Sequence, residues 1–306
     1  MPRMTLNNTV LLIIGFVLLW NSGFIGAAFG LDYADPLTLL FWRYWVLAAL
    51  LGLYLGVRRR LYWPGLRPVG IEATVGICAH GVWLAAVMFA LQAGVPAGIV
   101  ALVIALQPVT VGAFEGIVTG EAPSWSGWLG LAVGFSGVMV AVLARIEPGD
   151  MSSLLAYLLP FGAVVAFTVA TLLQRWVEVR SPTDQMPVEL ALFYQCLATA
   201  LVVTLPAIAL EGLTTRWTPT FVAIMAWLIV AVSLAAYDLM WRLVERMDAT
   251  RVASLFYLGP PVTMLMAWIF LGETLRMTDV AGLVVTAIGV SIVHLSASVP
   301  GAGKRA

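Results

Sequence analysis

PAGIVALVIALQPVTVGAFEGIVTGE, Pro96 to Glu121, is an apolar run with a Gln-Pro pair at its middle and Gly-Glu at its end. It returns as TRVASLFYLGPPVTMLMAWIFLGE, Thr250 to Glu273. Pro108-Val109-Thr110 matches Pro261-Val262-Thr263, and Gly120-Glu121 matches Gly272-Glu273. The stretches that follow match too, Gly130 and Gly137 against Gly282 and Gly289. The offset is 153 at the proline and 152 afterwards, half of the 306 residues. A chain that repeats itself once at half its length is a duplicated unit. The two units are read as 1–148 and 149–306.

Composition says where the chain lives. Hydrophobic residues make up 61% and charged residues 10%, against about 25% charged in a soluble domain. So few charges cannot cover a water-facing surface, and an all-α integral membrane protein follows. A spanning helix needs roughly 20 mostly apolar residues. Ten such spans are predicted, at about 9–30, 36–57, 70–92, 95–119, 125–145, 152–175, 188–210, 219–240, 250–271 and 277–296. Arg3 followed by the apolar run Val10–Trp20 has the outline of a signal peptide. The first unit needs this segment to be complete, so it is expected to remain as the first span. The longest connections, Arg58–Val69 and Trp176–Pro187, are polar and punctuated by proline, and Pro300–Ala306 is a short basic tail.

Arginine placement gives orientation. Arg3, Arg58, Arg59, Arg60, Arg67, Arg175, Arg180, Arg242, Arg246, Arg251, Lys304 and Arg305 fall on the side of the termini. Only Arg145, Arg216 and Arg276 fall opposite, and Arg43 lies within a span. Both termini are therefore expected in the cytoplasm, with the chain in the inner (plasma) membrane. Five spans per unit is an odd number, so the second unit enters from the other side. Two inverted five-helix repeats are the arrangement from which many carriers build alternating access.

The repeated pattern resembles a known family. Pro-Val-Thr within a span, then Leu271-Gly272-Glu273 (Thr119-Gly120-Glu121 in the first unit), a short loop and a Gly-rich last span are similar to the EamA unit of the drug/metabolite transporter superfamily. Leu19-Trp20-Asn21-Ser22-Gly23-Phe24 resembles that family's entry motif, and Pro36-Leu37 with Phe41-Trp42-Arg43-Tyr44 its second-span pattern. The resemblance covers the whole chain. It implies a ten-helix carrier moving small metabolites, often amino acids, out of the cytoplasm, with the exporters of aromatic and other neutral amino acids as the nearest look-alikes. Small proton-driven antiporters of the superfamily depend on a first-span glutamate. None lies between Met1 and Gly30, so weak or absent proton coupling is expected. One departure stands out: Gln195, in Phe193-Tyr194-Gln195, occupies the position of Arg43.

Polar side chains inside a bilayer are costly and ask for a reason. His80 lies near the middle of the third span, on a face with Gly76 and Trp83 or Leu84 that Glu72 extends. It is a candidate to bind a polar substrate group; a neutral histidine bonded to its neighbours is the alternative. Gln107-Pro108 and Pro260-Pro261 interrupt the fourth and ninth spans at corresponding positions. Proline removes a donor and displaces the carbonyl four residues back. Two interrupted helices in inverted halves point to a central binding site, with Pro108, Pro260 and Pro261 as hinges and Gln107 at the substrate. Packing kinks are the alternative. Trp20 and Asn21 are candidates in the first span, Asn21 as a substrate partner or as a clasp between helices. The deep aromatics Trp83, Tyr44, Tyr237 and Tyr257 are candidate cavity walls, suited to a neutral or amphipathic solute. Arg43, about 10 Å into its span at about 1.5 Å per residue, either snorkels to Asp32 or Asp35 or gates the outer mouth. Glu115 and Asp238 are expected to pair with arginines. Trp63, Trp125, Trp128 and Trp217 fit interfacial anchors.

His80 and His294 with the distant Cys78 and Cys196 make no metal site, and there is no Walker loop. No cofactor, catalytic residue or nucleic-acid partner is expected. The expected partners are a small-molecule substrate and the lipid bilayer, with the chain a monomer. Two other readings stand beside the carrier. A membrane enzyme acting on a lipid-like substrate, with His80 as base, lacks an acid or nucleophile clustered at one depth. A channel would show unsaturable flux.

Overall fold

The computed structural model describes residues 6–120, 125–146, 151–181, 184–244, 246–247, 252 and 255–297. Glu121, Thr250 and Arg251, and the terminal Arg3, Lys304 and Arg305, lie outside them. Among the described residues the chain forms ten helices and no β-strand. They are α1 (Leu6–Leu31), α2 (Pro36–Val57), α3 (Leu66–Gln92), α4 (Ala97–Phe114), α5 (Trp125–Leu143), α6 (Met151–Arg180), α7 (Val188–Glu211), α8 (Pro219–Val244), α9 (Phe256–Leu271) and α10 (Met277–Ala297). Seven of them are long and apolar enough to cross a membrane outright, and α5, α9 and α10 contribute shorter apolar stretches. Their outward faces carry bare aliphatic and aromatic side chains such as Val165, Leu205, Leu210 and Phe270. Only hydrocarbon suits such a surface. The expected anchors Trp63, Trp125, Trp128 and Trp217 are exposed. The helix expected to end near residue 175 runs on to Arg180.

Equivalent helices pair antiparallel. Along α2 and α7, Thr38 meets Glu211, Trp45 meets Thr204, and Gly52 faces Phe193. Along α5 and α10, Gly137 lies against Gly282 and Thr286, and Gly134 against Gly289. Helices related by the repeat that run in opposite directions require a two-fold axis in the membrane plane, which is the inverted repeat. The glycines noticed in the sequence make the α5–α10 contact. A Cβ on Gly282 would stand 2.6 Å from the Gly137 carbonyl oxygen, so the two backbones touch.

The repeated Gly-Glu pair has two separate jobs. Gly120 ends the short helical turn Gly116–Thr119 that follows α4, and Gly272 ends α9, with φ of 79° and 68°, the left-handed cap that glycine adopts without strain. Glu273 then reaches the other half, accepting from the backbone N–H groups of Ala97 at 2.6 Å and Gly98 at 3.4 Å. Its carboxylate caps the free donors at the start of α4.

The prolines act differently from the expected kink. The first piece of α4 stops at Ile104, Ala105 and Leu106 form a turn, and a second helical piece starts at Gln107 with Pro108 in its first turn. In α9 a 3₁₀ turn over Phe256–Leu258 precedes a helix that starts at Gly259, again with proline in its first turn. The missing N–H of proline costs nothing there, because first-turn donors have no helical partner. α4 is therefore broken in two rather than bent, and in α9 the regular helix begins only at Gly259.

Two further irregularities had no sequence signal. α3 is π-helical over Ile77–Val82 and α8 over Trp227–Ala235. These are corresponding positions in the two halves, and π segments often mark functional sites.

Candidate functional site

A cavity of about 970 Å³ lies between the two halves. Side chains from α1, α3, α4, α6, α7, α8 and α9 line it. It reaches the surface beside the exposed Gln174, Glu178 and Gln185, at the face that carries the α2–α3 and α6–α7 connections. No residue of the opposite face lines it.

That opposite face is tied shut across the halves. The Glu211 carboxylate caps α2, accepting from Leu37 N at 3.1 Å, Thr38 N at 2.7 Å and the Thr38 hydroxyl at 2.8 Å. Arg216 hydrogen-bonds the Asp32 carbonyl and lies over the Tyr33 ring, and Trp42 Nε1 donates to Thr215 at 3.0 Å. Arg145 pairs with Asp279 and donates to the Thr274 carbonyl at 2.9 Å. Both members of the pair are buried, at 9% and 1% side-chain exposure. The hydrogen bond to Asp279 raises the Arg145 pKa further, so this guanidinium stays charged. The open face has weaker ties, Arg67–Asp184 at 3.2 Å and Arg175–Glu115 at 3.3 Å, with both arginines well exposed. Glu115 and Asp238 do pair with arginines, the latter with Arg242 at 2.7 Å.

Of the residues picked from the sequence, Trp20, Asn21, His80, Trp83, Gln107, Tyr237 and Tyr257 line the large cavity, with Pro108 and Pro260. Arg43 and Tyr44 do not. They line an adjoining cavity of about 100 Å³, whose walls include Trp20, Phe24, His80, Trp83 and Tyr237. Pro261 lines neither. Arg43 contacts neither Asp32 nor Asp35: its Nε and Nη2 donate to the Ser233 hydroxyl at 3.1 and 2.7 Å. An arginine deep in a span finds a nearby hydroxyl before it can reach a loop acid.

The polar groups fall into two sets. The first is already satisfied. Gln195 Nε2 donates to Glu72 at 2.6 Å, and Gln195 Oε1 lies 3.1 Å from His80 Nε2. With the amide nitrogen committed to Glu72, its oxygen accepts from His80. The proton is then on Nε2, and Nδ1 is left as an acceptor. Asn21 donates to the Val17 carbonyl at 2.7 Å and accepts from Thr263 at 3.0 Å, clasping α1 to α9. The second set is unsatisfied. Trp83 Nε1 and Gln107 Nε2 are buried at the cavity wall and have no partner. A buried unpaired donor costs about 1–3 kcal/mol; both nitrogens are covered in this state, so a solute acceptor removes that cost once the side chain turns toward the cavity.

Glu72 and Gln195 were the residues that sequence reasoning undervalued. In the sequence Glu72 only extends the His80 face, and Gln195 only marks the place where an arginine is missing. Glu72 and Glu178 bring carboxylates to the cavity from α3 and α6, although none comes from α1. The aromatic side chains form a wall: Trp20 packs on Tyr237 and Phe256, with ring centres 5.3 and 5.2 Å away, and Tyr44 on His80 at 5.6 Å. Among the described residues no group of His, Cys, Asp and Glu is placed to hold a metal.

Comparison with known proteins agrees with this geometry. The model of the EamA-like transporter family matches twice, over residues 7–143 and 154–295. A protein of Bacillus subtilis described as the uncharacterized transporter YvbV is 26% identical over 205 residues, 65% of this chain and 63% of that protein. A probable amino-acid metabolite efflux pump of Salmonella typhimurium is 25% identical over 284 residues, 90% of this chain and 91% of that protein. A solved crystal structure superposes with a TM-score of 0.60 at 20% identity, covering 96% of this chain and 98% of its own. At that identity it speaks for the fold alone.

Proposed function

Because the chain belongs to the EamA-like transporter family, we propose that it exports neutral amino acids, aromatic ones among them, from the cytoplasm by alternating access. It is a multi-pass membrane transporter of a small molecule, not an enzyme, and the lipid-enzyme reading is set aside on that ground. The name of the Salmonella relative supports the substrate class. The carrying observation is the pair of unpartnered donors, Trp83 Nε1 and Gln107 Nε2, in an aromatic-walled cavity between the halves. The units 1–148 and 149–306 rock about the helix breaks at Pro108 and Pro260, as a monomer. The arginine-rich open face lies in the cytoplasm with both termini, in the inner membrane. The structure then corresponds to the state that loads substrate from inside. A channel is disfavoured by the ties that shut the opposite face.

Export from cells of a panel of amino acids and other neutral metabolites, with the proton gradient intact and collapsed, tests this reading. Neutral amino acids leave faster from cells with the wild-type protein than from cells with Gln107→Leu, and collapse of the gradient changes the rate little. Equal efflux with both proteins, or a steep dependence on the gradient, contradicts it.

A further inference from the structure

Among the described residues Arg43 has no counter-ion. It lies within α2, is 6% exposed, and no described carboxylate meets it. Among the described residues its only hydrogen-bond partner is the Ser233 hydroxyl, which is itself fully used. That oxygen receives two N–H groups from Arg43 and gives its proton to the Leu228 carbonyl at 3.0 Å. A hydroxyl dipole is poor compensation for a guanidinium removed from water. Arg43 lines the small cavity, beside the large one and in contact with it through shared walls. Trp83, whose Nε1 has no partner, lines both.

We propose that the small cavity is a carboxylate subsite, in which Arg43 binds the carboxylate of a zwitterionic substrate while the rest of the molecule occupies the large cavity. This rests on the carrier reading and narrows its substrate class. The volume of about 100 Å³ has room for a carboxylate and the atoms next to it. Arginine presents a planar fork of donors suited to a carboxylate, and Ser233 occupies only one edge of it. The other half has no such site. Gln195, at the position of Arg43, carries no charge and is committed to Glu72 and His80. One carboxylate site in a two-fold-related pair of halves gives the substrate a single orientation. Amides, esters and amines of the same skeleton lose the charge-assisted contact and bind less well.

The test uses the full-length protein in proteoliposomes loaded with unlabelled phenylalanine, leucine or threonine, and counterflow of the matching labelled acid. Each acid is competed with its own amide and methyl ester. In the wild type, the acid is expected to compete at least tenfold better than its amide. In Arg43→Gln the acid-to-amide ratio is expected to fall toward one, and Arg43→Lys retains part of it. Saturable counterflow in which amide and acid compete equally overturns the subsite and leaves the carrier reading standing. Absence of saturable counterflow for all three acids overturns both. The acid-to-amide ratio of the wild type decides alone if Arg43→Gln fails to insert.

Discussion

Ser233 stands in the second half where His80 stands in the first, 153 residues on, and both lie in π-helical turns. Each is met by a side chain from the other half: Gln195 lies 3.1 Å from His80, and Arg43 donates to Ser233 at 2.7 Å. Gln195 and Arg43 are themselves equivalent. One cross-half contact is thus made twice, once neutral and tied to Glu72, once cationic and facing the small cavity.

The neutral copy holds three buried groups together. Gln195→Leu strands Glu72 and His80, and a buried group without its partner costs about 1–3 kcal/mol. Thermal unfolding in detergent is expected to show a clear drop in midpoint. An unchanged midpoint would show that the Glu72–Gln195–His80 contacts contribute nothing to stability.

The unsatisfied donors behave in the opposite way. Gln107→Leu removes an unpaired buried amide, so stability is expected to hold or rise, while half-saturation for a transported amino acid increases about tenfold, the equivalent of about 1.4 kcal/mol. Loss of stability together with transport would make Gln107 a structural residue.

Glycines in this fold separate cleanly by what surrounds them. A Cβ on Gly282 meets the Gly137 carbonyl at 2.6 Å and the Ala141 Cβ at 2.8 Å. Gly282→Ala therefore forces α10 off α5 and is expected to cost about 1–3 kcal/mol. Gly162, inside α6, has nothing within 4 Å of such a Cβ, and Gly162→Ala is expected to stabilise by about 0.5–1 kcal/mol. Thermal midpoints of the two variants should move in opposite directions.

The fold was legible because the repeat and the apolar runs are properties of the chain itself. Gly137 and Gly282 were visible as a repeated spacing before their contact was known. The site was half legible. His80, Trp83 and Gln107 announced themselves as polar or amphipathic groups in apolar runs, and all three line the cavity. Ser233 did not, since a serine satisfies its own hydroxyl on a helix and costs little in a span. The π turns that aim Ser233 and His80 leave no residue signature, because they arise from packing between helices rather than from local propensity. For the same reason the sequence leaves Arg43 between the loop acids Asp32 and Asp35 and a gate at the outer mouth, and does not point to Ser233. Depth along the helix was readable from the sequence, but the neighbour across the half-interface was not.

The closed face depends on a buried ion pair. Removing Arg145 leaves Asp279 charged and 1% exposed, at a cost of about 3–5 kcal/mol to that arrangement. A cysteine at Ala79, which lines both cavities, reports the result in a Cys78→Ser, Cys196→Ala background. A membrane-impermeant maleimide applied from the closed face is expected to label it slowly with Arg145 present and much faster with Arg145→Ala. Equal labelling would show that the pair does not hold this face shut.

Trans-stimulation tests the central claim most directly. If one cavity between the halves faces each side in turn, proteoliposomes preloaded with a transported neutral amino acid take up its labelled form faster than empty ones, and uptake saturates. Uptake that rises linearly with concentration, at the same rate in loaded and empty vesicles, would contradict alternating access through this cavity.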